Sequence, residues 1–198
     1  MKVLGDLDVP RETSERLAIY ADLIRKWNPK INLVSKASLA ELEERHILDG
    51  VQVARIATGW SNWTDLGSGG GFPGLVVAII NPNRPVKLVE SDQRKAAFLR
   101  AVIRETEVNA QVVADRIEKL EPLVAEVLSA RALAPLVKLL EYGERHLGPQ
   151  GTAVFPKGET WRQEISQAEA VWRFQWEAIE STTHPKAVIL KIGGIARV

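Results

Sequence analysis

Apolar and polar residues in the first 57 positions recur with the spacing of amphipathic helices. One helix is predicted from Arg11 to about Trp27. A second is predicted from Ser38, a candidate N-cap that is followed three residues later by Glu41. Pro29 lies between them, and proline interrupts a helix interior, so the two helices are expected to be separate. Residues 1–57 are therefore expected to form a helical cap within the same globule as the rest of the chain.

From residue 58 onward, short extended runs alternate with helical patterns, which predicts a second unit at residues 58–198. A strand begins near residue 63, and others are predicted at 86–90, 109–113, 124–128, 152–155, 174–179 and 187–192. Helices are predicted after the first strand, after an N-cap at Ser91 or Asp92, and at 136–146 and 159–170. Strands separated by helices indicate an α/β fold with a mostly parallel sheet and helices on both faces. The last two strands have no helix between them, which predicts an antiparallel edge.

A glycine-rich stretch from Asp65 to Gly74 joins the first strand to the apolar helix that follows it. Five of the chain's 14 glycines fall within these ten residues. Glycine has no Cβ, so such a loop lets backbone amides approach a ligand closely. An ordinary turn requires only one or two glycines, and a ligand loop is therefore the favoured interpretation.

Two ligands are compatible with this loop. Gly69, Gly71 and Gly74 match the spacing of the dinucleotide fingerprint, with Glu90 near the position of its ribose-binding acid. Pro73 argues against that interpretation, because it disfavours a helical residue immediately before it. The carboxylate of Asp65, at the end of the first strand, repels a pyrophosphate but suits the cationic S-adenosylmethionine. The sequence favours S-adenosylmethionine, with a nicotinamide-dependent oxidoreductase as the alternative, and Glu90 is predicted to accept the ribose hydroxyls in either case.

The composition excludes some kinds of chemistry but adds little about the fold. The 198 residues carry a net charge of +1, so a local basic patch for nucleic acid remains compatible with the sequence. The chain has no cysteine, which excludes a cysteine nucleophile and a thiolate metal site. The N-terminus does not have the pattern of a signal peptide, and no apolar run reaches membrane-spanning length. A cytoplasmic protein without membrane contact is therefore expected.

Several short motifs together resemble one family, the bacterial 16S ribosomal RNA guanine-N7 methyltransferase G family, also called glucose-inhibited division protein B. They occur in the family's order between residues 27 and 158, and they are Asn32-Leu33-Val34, Arg45-His46-Ile47-Leu48-Asp49, Asp65 through Gly74, Asn109, Arg116-x-Glu118, Ser129-Ala130-Arg131-Ala132 and Lys157-Gly158. The chain departs from the family at Gly70, where alanine is frequent, and at Gly50, where serine is frequent. The second departure puts any hydroxyl role at that position in doubt.

The resemblance implies a Rossmann-like class I methyltransferase fold with an N-terminal helical extension, and S-adenosylmethionine as cofactor. It assigns to the cofactor site, besides Glu90, the residues Gly67, Phe72, Ile117, Glu118 and Arg131. It implies 16S ribosomal RNA or the small-subunit particle as the partner of a monomeric enzyme. RNA contacts are expected from Asn32, Arg45, His46 and Lys157.

Methyl transfer to guanine N7 requires no general base, since this nitrogen has a free lone pair and no proton to lose. No catalytic side chain and no metal ligand are therefore predicted, and alignment of the reactants is expected to supply the rate. In agreement, Ser-Ala-Arg-Ala-Leu-Ala-Pro follows the fourth strand, in place of the Asn/Asp-Pro-Pro-aromatic motif that grips an exocyclic amine. A cofactor-sensing RNA-binding module without turnover is a further, non-enzymatic alternative.

Overall fold

The computed structural model of the chain describes residues 7–198, so residues 1–6 of the predicted cap lie outside the described part. The α-helices within it are α1 (Arg11–Ile31), α2 (Lys36–Ala40), α3 (Asp49–Ile56), α4 (Gly74–Ile80), α5 (Gln93–Thr106), α6 (Leu136–His146) and α7 (Trp161–Glu169). The strands are β1 (Trp63–Leu66), β2 (Val86–Val89), β3 (Ala110–Val113), β4 (Ala125–Ser129), β5 (Leu147–Lys157), β6 (Trp172–Glu180) and β7 (Val188–Arg197). Two short turns complete this list, a π-helical turn at Glu43–Leu48 and a 3₁₀ turn at Ile117–Lys119.

The strands form one seven-stranded sheet in the order β3-β2-β1-β4-β5-β7-β6. Strands β1 to β5 are parallel, whereas β7 is antiparallel to both β5 and β6. The predicted mixed sheet with an antiparallel edge is confirmed. The order reverses between β1 and β4, which creates the switch point where ligands bind in open α/β sheets.

Side chains alternate between two hydrophobic cores, as the period of two along a strand requires. In β5, Val154 belongs to the core under α1, α3, α4 and α5, while Ala153 and Phe155 belong to the core under α6 and α7. Helices α1 and α3 therefore share the core on one face of the sheet. Residues 7–57 are packed into the same globule and complete one of its two faces.

The prediction that Pro29 separates two helices is wrong, because α1 continues through Pro29 to Ile31. Proline removes a single helical hydrogen bond, and here it lies in the final turn, where few bonds remain to be lost. Asn32 ends the helix in the left-handed conformation at φ 47°, and its N–H bonds to the carbonyl of Asn28. The polar segment between the helices is therefore about four residues shorter at its start than expected.

The cap of the next helix is also misplaced by the sequence pattern. Ser35, and not Ser38, is the N-cap, and its hydroxyl accepts the N–H of Ser38 at 3.1 Å. Glu41 lies at the end of the short α2, after which the backbone passes through the π-helical turn into α3. By contrast, Asp92 is confirmed as the cap of α5, because its carboxylate accepts the N–H groups of Arg94 and Lys95. None of the helices within residues 7–198 combines the length and the apolar character needed to cross a bilayer.

Candidate functional site

The glycine loop lies at the carboxyl end of β1, beside the switch point of the sheet. Its N-terminal part is tied to β2, since Ser68 donates its N–H to the carbonyl of Val89 at 3.0 Å. Tyr20 of α1 donates its hydroxyl to the carbonyl of Gly70 at 2.6 Å. Leu33, next to the predicted RNA contact Asn32, lies against Gly70 as well. The N-terminal helices therefore brace the loop from one side.

Asp65 supports the loop from below and does not line a cleft. Its side chain is fully buried and accepts the Ser129 hydroxyl at 2.6 Å, and Ser129 in turn accepts the indole N–H of Trp63 at 2.8 Å. The second carboxylate oxygen has no hydrogen-bond partner within the described residues. Burial raises the pKa of Asp65 to about 6, although the bond from Ser129 opposes the shift. The carboxylate that the sequence relates to a cationic ligand thus acts through its field and its packing.

A cleft of about 430 Å³ opens between the loop and the ends of β2 and β3. Its lining residues are Gly67, Gly69, Val89, Glu90, Ser91, Lys95, Asp115, Arg116, Ile117, Glu118, Ala132, Leu133 and Tyr142. We call it the nucleoside cleft. It brings together four of the six predicted cofactor residues: Gly67, Glu90, Ile117 and Glu118.

Glu90 links the glycine loop to the start of α5. One carboxylate oxygen accepts the N–H of Gly69 and the other accepts the N–H of Asp92, both at 2.8 Å. The side chain is 8% exposed, at the wall of the nucleoside cleft. An ionised carboxylate offers about four acceptor positions, so two positions remain for hydroxyl donors of a ligand.

Glu118 stands on the opposite wall and is held by Tyr142 of α6. The Tyr142 hydroxyl donates to the Glu118 carboxylate, and this bond is the main cause of the lowered pKa of Glu118. Burial, together with the same bond, raises the pKa of Tyr142 to about 12. Ile117 is buried beside it and offers an apolar surface. This wall of the nucleoside cleft therefore offers a ligand the apolar side chain of Ile117 beside the fixed carboxylate of Glu118.

A second cleft, of about 900 Å³, adjoins the first, and Ala132 and Leu133 line both. The other residues on its wall are Arg45, His46, Asp49, Arg131, Ala134, Pro135, Leu139, Pro156, Lys157, Gly158, Thr160, Gln163, Glu164, Gln167, Ser181, Thr183, His184, Ala187 and Val188. We call it the substrate cleft. Ala132 adopts φ 53°, and the Leu133 side chain lies against Gly67, so the loop after β4 forms the partition between the two clefts.

Arg131 projects from this partition into the substrate cleft. One terminal nitrogen donates to Asp49 at 3.3 Å and to the carbonyl of Arg45 at 3.4 Å, and the other lies 2.8 Å from His46 Nδ1. The guanidinium also lies over the ring of Phe72, 5.0 Å from its centroid. Two of the predicted cofactor residues, Phe72 and Arg131, are therefore brought together with the predicted RNA residues Arg45 and His46.

His46 is neutral in this arrangement. Burial, with Arg131 and Arg45 nearby, lowers its pKa to about 3. Since Arg131 is a donor, Nδ1 must be the accepting nitrogen and the proton resides on Nε2. The ring stacks on Phe72 with centroids 5.0 Å apart, while Phe72 is buried and also contacts Tyr20. Phe72 thus supports His46 and Arg131 from beneath.

The other two predicted RNA contacts are Lys157 and Asn32, of which Lys157 is in the lining of the substrate cleft and Asn32 is not. Lys157 lines the substrate cleft, but its ammonium donates to Glu164 at 2.7 Å and to the carbonyl of Ala134 at 3.1 Å, with the side chain 9% exposed. Asn32 is exposed beside the glycine loop and lies outside both cleft linings. Trp27, which is half-buried, packs edge-on against Phe98 with centroids 5.7 Å apart and so borders the core.

Three residues of the site were not identified from the sequence. Tyr142 and Leu133 lie in ordinary apolar contexts, and no local pattern marks them. Asp49 falls within a family motif, yet its partners Arg131 and Thr183 are 82 and 134 residues away. A signal that relates distant positions is required to find such pairs.

Comparison with known proteins identifies relatives over almost the whole chain. The family model described as rRNA small subunit methyltransferase G matches residues 13–190. The ribosomal RNA small subunit methyltransferase G of Ruegeria pomeroyi is 55% identical over 196 residues, which are 97% of this chain and 96% of the relative. The protein of the same name from Paracoccus denitrificans is 52% identical over 191 residues, or 96% of this chain and 98% of the relative.

Solved structures of low sequence identity share the fold. A SAM-dependent methyltransferase from Aquifex aeolicus matches with a TM-score of 0.59 at 12% identity, over 87% of this chain and 96% of that one. TYW2 of M. jannaschii, solved in complex with AdoMet, matches with a TM-score of 0.57 at 14% identity, over 86% and 80% of the two chains. These likenesses confirm the expected Rossmann-like methyltransferase fold, and the comparisons do not support the oxidoreductase alternative.

Proposed function

The chain belongs to the rRNA small subunit methyltransferase G family, and we propose that it transfers a methyl group from S-adenosylmethionine to N7 of a guanine in 16S ribosomal RNA. The family predicted from the sequence motifs is thereby confirmed. One observation carries the proposed reaction in this chain. A small cleft that holds Glu90 and Glu118 and a larger cleft that holds Arg45 and Arg131 meet at the partition formed by Ala132 and Leu133.

The residues of the nucleoside cleft fit S-adenosylmethionine. An added Cβ at Gly69 would find its nearest atom 3.7 Å away, so the loop leaves open space on the cleft side. Glu90 has acceptor positions for the two ribose hydroxyls, and Ile117 with Glu118 offers an apolar face and an anion for the adenine. We propose Gly67, Glu90, Ile117 and Glu118 as direct contacts, with Phe72 supporting Arg131 at the junction of the clefts.

When bound, S-adenosylmethionine supplies a methyl carbon on a cationic sulfur, and as N7 forms its bond to that carbon, the electron pair of the breaking S–C bond stays on sulfur. The positive charge therefore passes to the guanine ring, and no proton is removed from N7. The protein's own task is to align the two reactants across the partition. No side chain is assigned as a general base.

We propose that the target nucleotide enters the substrate cleft in an extruded conformation. The major groove of an RNA helix is too deep and narrow for side chains to read, so a guanine N7 is accessible in a loop or after it leaves the stack. Arg45, Arg131 and Lys157 line this cleft, and Asn32, which is outside the lining, is a further proposed contact. The partner is 16S ribosomal RNA or the small-subunit particle, met by a monomeric enzyme in the cytoplasm.

Labelled-methyl transfer to small ribosomal subunits from cells that lack this modification tests the proposal. Mass spectrometry of nuclease fragments should locate one new methyl group, released as 7-methylguanine. Incorporation at another atom or into another base would overturn the proposed reaction. If the protein binds S-adenosylmethionine but incorporates no methyl group into subunits or into deproteinised RNA, the non-catalytic module is favoured instead.

A further inference from the structure

N7 does not distinguish guanine from adenine, because both purines carry it. The two bases differ at the neighbouring edge, where guanine offers the O6 acceptor beside the N1–H and N2–H donors. Adenine offers an amino donor beside the N1 acceptor. An enzyme that methylates N7 of guanine therefore needs a donor beside an acceptor on its substrate wall.

The substrate cleft holds such a pair close to the partition. Arg131 and Asp49 lie side by side with 3.3 Å between their nitrogen and oxygen, and their side chains are 19% and 15% exposed. Asp49 also accepts the hydroxyl of Thr183 at 3.2 Å, so two loops of the cleft fix its carboxylate. This ion pair presents an anionic acceptor next to a cationic donor.

Both members retain hydrogen-bonding capacity. Arg131 has five N–H donors, and its contacts with Asp49, the Arg45 carbonyl and His46 use three of them. The Asp49 carboxylate has about four acceptor positions and uses two. The lining holds one other carboxylate, that of Glu164. A single oxygen of this carboxylate accepts both the Leu136 N–H and the Lys157 ammonium, so Glu164 is paired with a lysine and not with Arg131.

We propose that Asp49 is the residue that selects guanine, accepting its N1–H and N2–H while Arg131 donates to O6. The proposal rests on the proposed N7 methylation. In this orientation N7, which lies on the side of O6 away from N1, is on the Arg131 side of the pair, and Ala132 of the partition is the next residue in the chain. Adenine in the same pose places its amino group against Arg131 and its N1 lone pair against Asp49.

The pair also favours the reaction itself. As N7 forms its bond to the methyl carbon and the S–C electron pair stays on sulfur, the guanine ring becomes cationic. The ring N–H groups become stronger donors, and a carboxylate bound to them stabilises the transition state more than the ground state. Asp49 therefore contributes to kcat as well as to base selection.

The test uses the full-length enzyme and small subunits reconstituted with 16S ribosomal RNA that carries a defined base at the mapped target. Asp49→Asn is compared with Glu44→Gln, which removes one charge from an exposed position outside the cleft linings. We expect Asp49→Asn to lower kcat/KM about 100-fold or more, with the affinity for S-adenosylhomocysteine within twofold of wild type. Glu44→Gln should match wild type in both assays.

Base substitution separates reading of the guanine from a structural role. Inosine at the target position lacks the N2 amine. It should lower kcat/KM of the wild type about tenfold but change kcat/KM of Asp49→Asn little. Equal costs in both enzymes, or an Asp49→Asn rate within threefold of wild type, would overturn the proposal.

A wild-type measurement decides even where the variant does not fold. Target N1-methylguanine, which lacks the N1–H, should react at least 50-fold more slowly than guanine, and a rate within threefold overturns the proposal. A wild type that forms no 7-methylguanine on unmodified subunits overturns the proposed function as well. Any of the other contrary results overturns the role of Asp49 alone.

Discussion

The Glu90 carboxylate accepts the backbone N–H of Gly69 at 2.8 Å, which fixes the end of β2 to the glycine loop after β1. Its other oxygen accepts the N–H of Asp92 at the start of α5. A single side chain therefore holds the glycine loop against the start of α5. The same carboxylate is the proposed acceptor of the ribose hydroxyls, so its two roles are coupled.

Glu90→Gln should weaken binding of S-adenosylhomocysteine by roughly 10- to 100-fold. Hydrogen bonds to a charged group contribute about 1.5–3 kcal/mol, which corresponds to that range of Kd. Isothermal titration calorimetry measures the change, and Glu177→Gln, at an exposed position on the edge strand β6, is the matched control. An affinity equal to that of the control would remove Glu90 from the cofactor site.

The loop itself predicts a contrast between two alanine substitutions. Gly69 and Gly71 both have positive φ, at 54° and 95°. A Cβ at Gly69 would lie 3.7 Å from its nearest neighbour, whereas one at Gly71 would overlap the Leu75 side chain and lie 2.7 Å from the Tyr20 hydroxyl. Gly69→Ala should therefore lower the free energy of unfolding by about 1–2 kcal/mol, from backbone strain alone. Gly71→Ala should cost roughly 1–3 kcal/mol more, because Leu75 and Tyr20 must both move.

Urea unfolding at constant temperature and pH measures both losses. Equal losses would mean that Tyr20 and its neighbours accommodate the extra methyl group without cost.

Periodicity and glycine spacing predicted the sheet, its antiparallel edge and the loop between the first strand and its helix, because each depends on residues that are close in sequence. The cap at Asp92 belongs to the same class, since its carboxylate bonds to N–H groups two and three residues away. Local rules failed where position within an element decides the outcome. Pro29 is tolerated because it falls in the last turn of α1, and Ser35 displaces Ser38 as a cap because the helix starts three residues earlier.

The clefts were less predictable than the fold. Glu90 and Glu118 were identified individually, but Tyr142 orients Glu118 from 24 residues away. Arg131 was predicted at the cofactor site, and its guanidinium bonds to Asp49 and His46 on the neighbouring cleft. Such pairings follow from tertiary packing, so they cannot be predicted from the spacing of residues along one element.

Asp65 predicts a pH dependence of stability. Burial raises its pKa to about 6 from an ordinary value of 3.8, so the folded state binds this proton more tightly than the unfolded state. This proton contributes about 3 kcal/mol to the free energy of unfolding. The contribution is fully present below about pH 4 and is lost as the pH rises through 6. Asp65→Asn has no proton to lose at this position. Wild-type stability relative to this variant should therefore fall between pH 4 and pH 7.

Urea unfolding at pH 4.5, 5.5 and 7 measures this difference. His46 has the opposite sign, because its lowered pKa stabilises the folded state above about 6.5 and that contribution is lost as the pH falls toward 3. The histidine is present in both proteins, so its contribution cancels in the comparison. A constant difference over this range would show that Asp65 titrates normally.

Tyr142→Phe should weaken cofactor binding about fivefold while leaving the fold intact. The substitution removes the hydroxyl that donates to Glu118 but keeps the ring, over which the Lys138 ammonium lies 4.9 Å from the centroid. A net hydrogen bond contributes about 1 kcal/mol, which sets the size of the effect. Because the pKa of Tyr142 is raised to about 12, the hydroxyl keeps its proton and the effect should be constant from pH 6 to pH 9.

A double-mutant cycle with Glu118→Gln shows whether Tyr142 acts through Glu118. If it does, each single variant weakens binding of S-adenosylhomocysteine, and the double variant is little weaker than Glu118→Gln alone. If the two losses in binding free energy add, Tyr142 contacts the ligand independently of Glu118. Thermal unfolding of the three variants without ligand controls for damage to α6, which also holds the 3₁₀ turn through bonds from Arg145 to the carbonyl of Leu120.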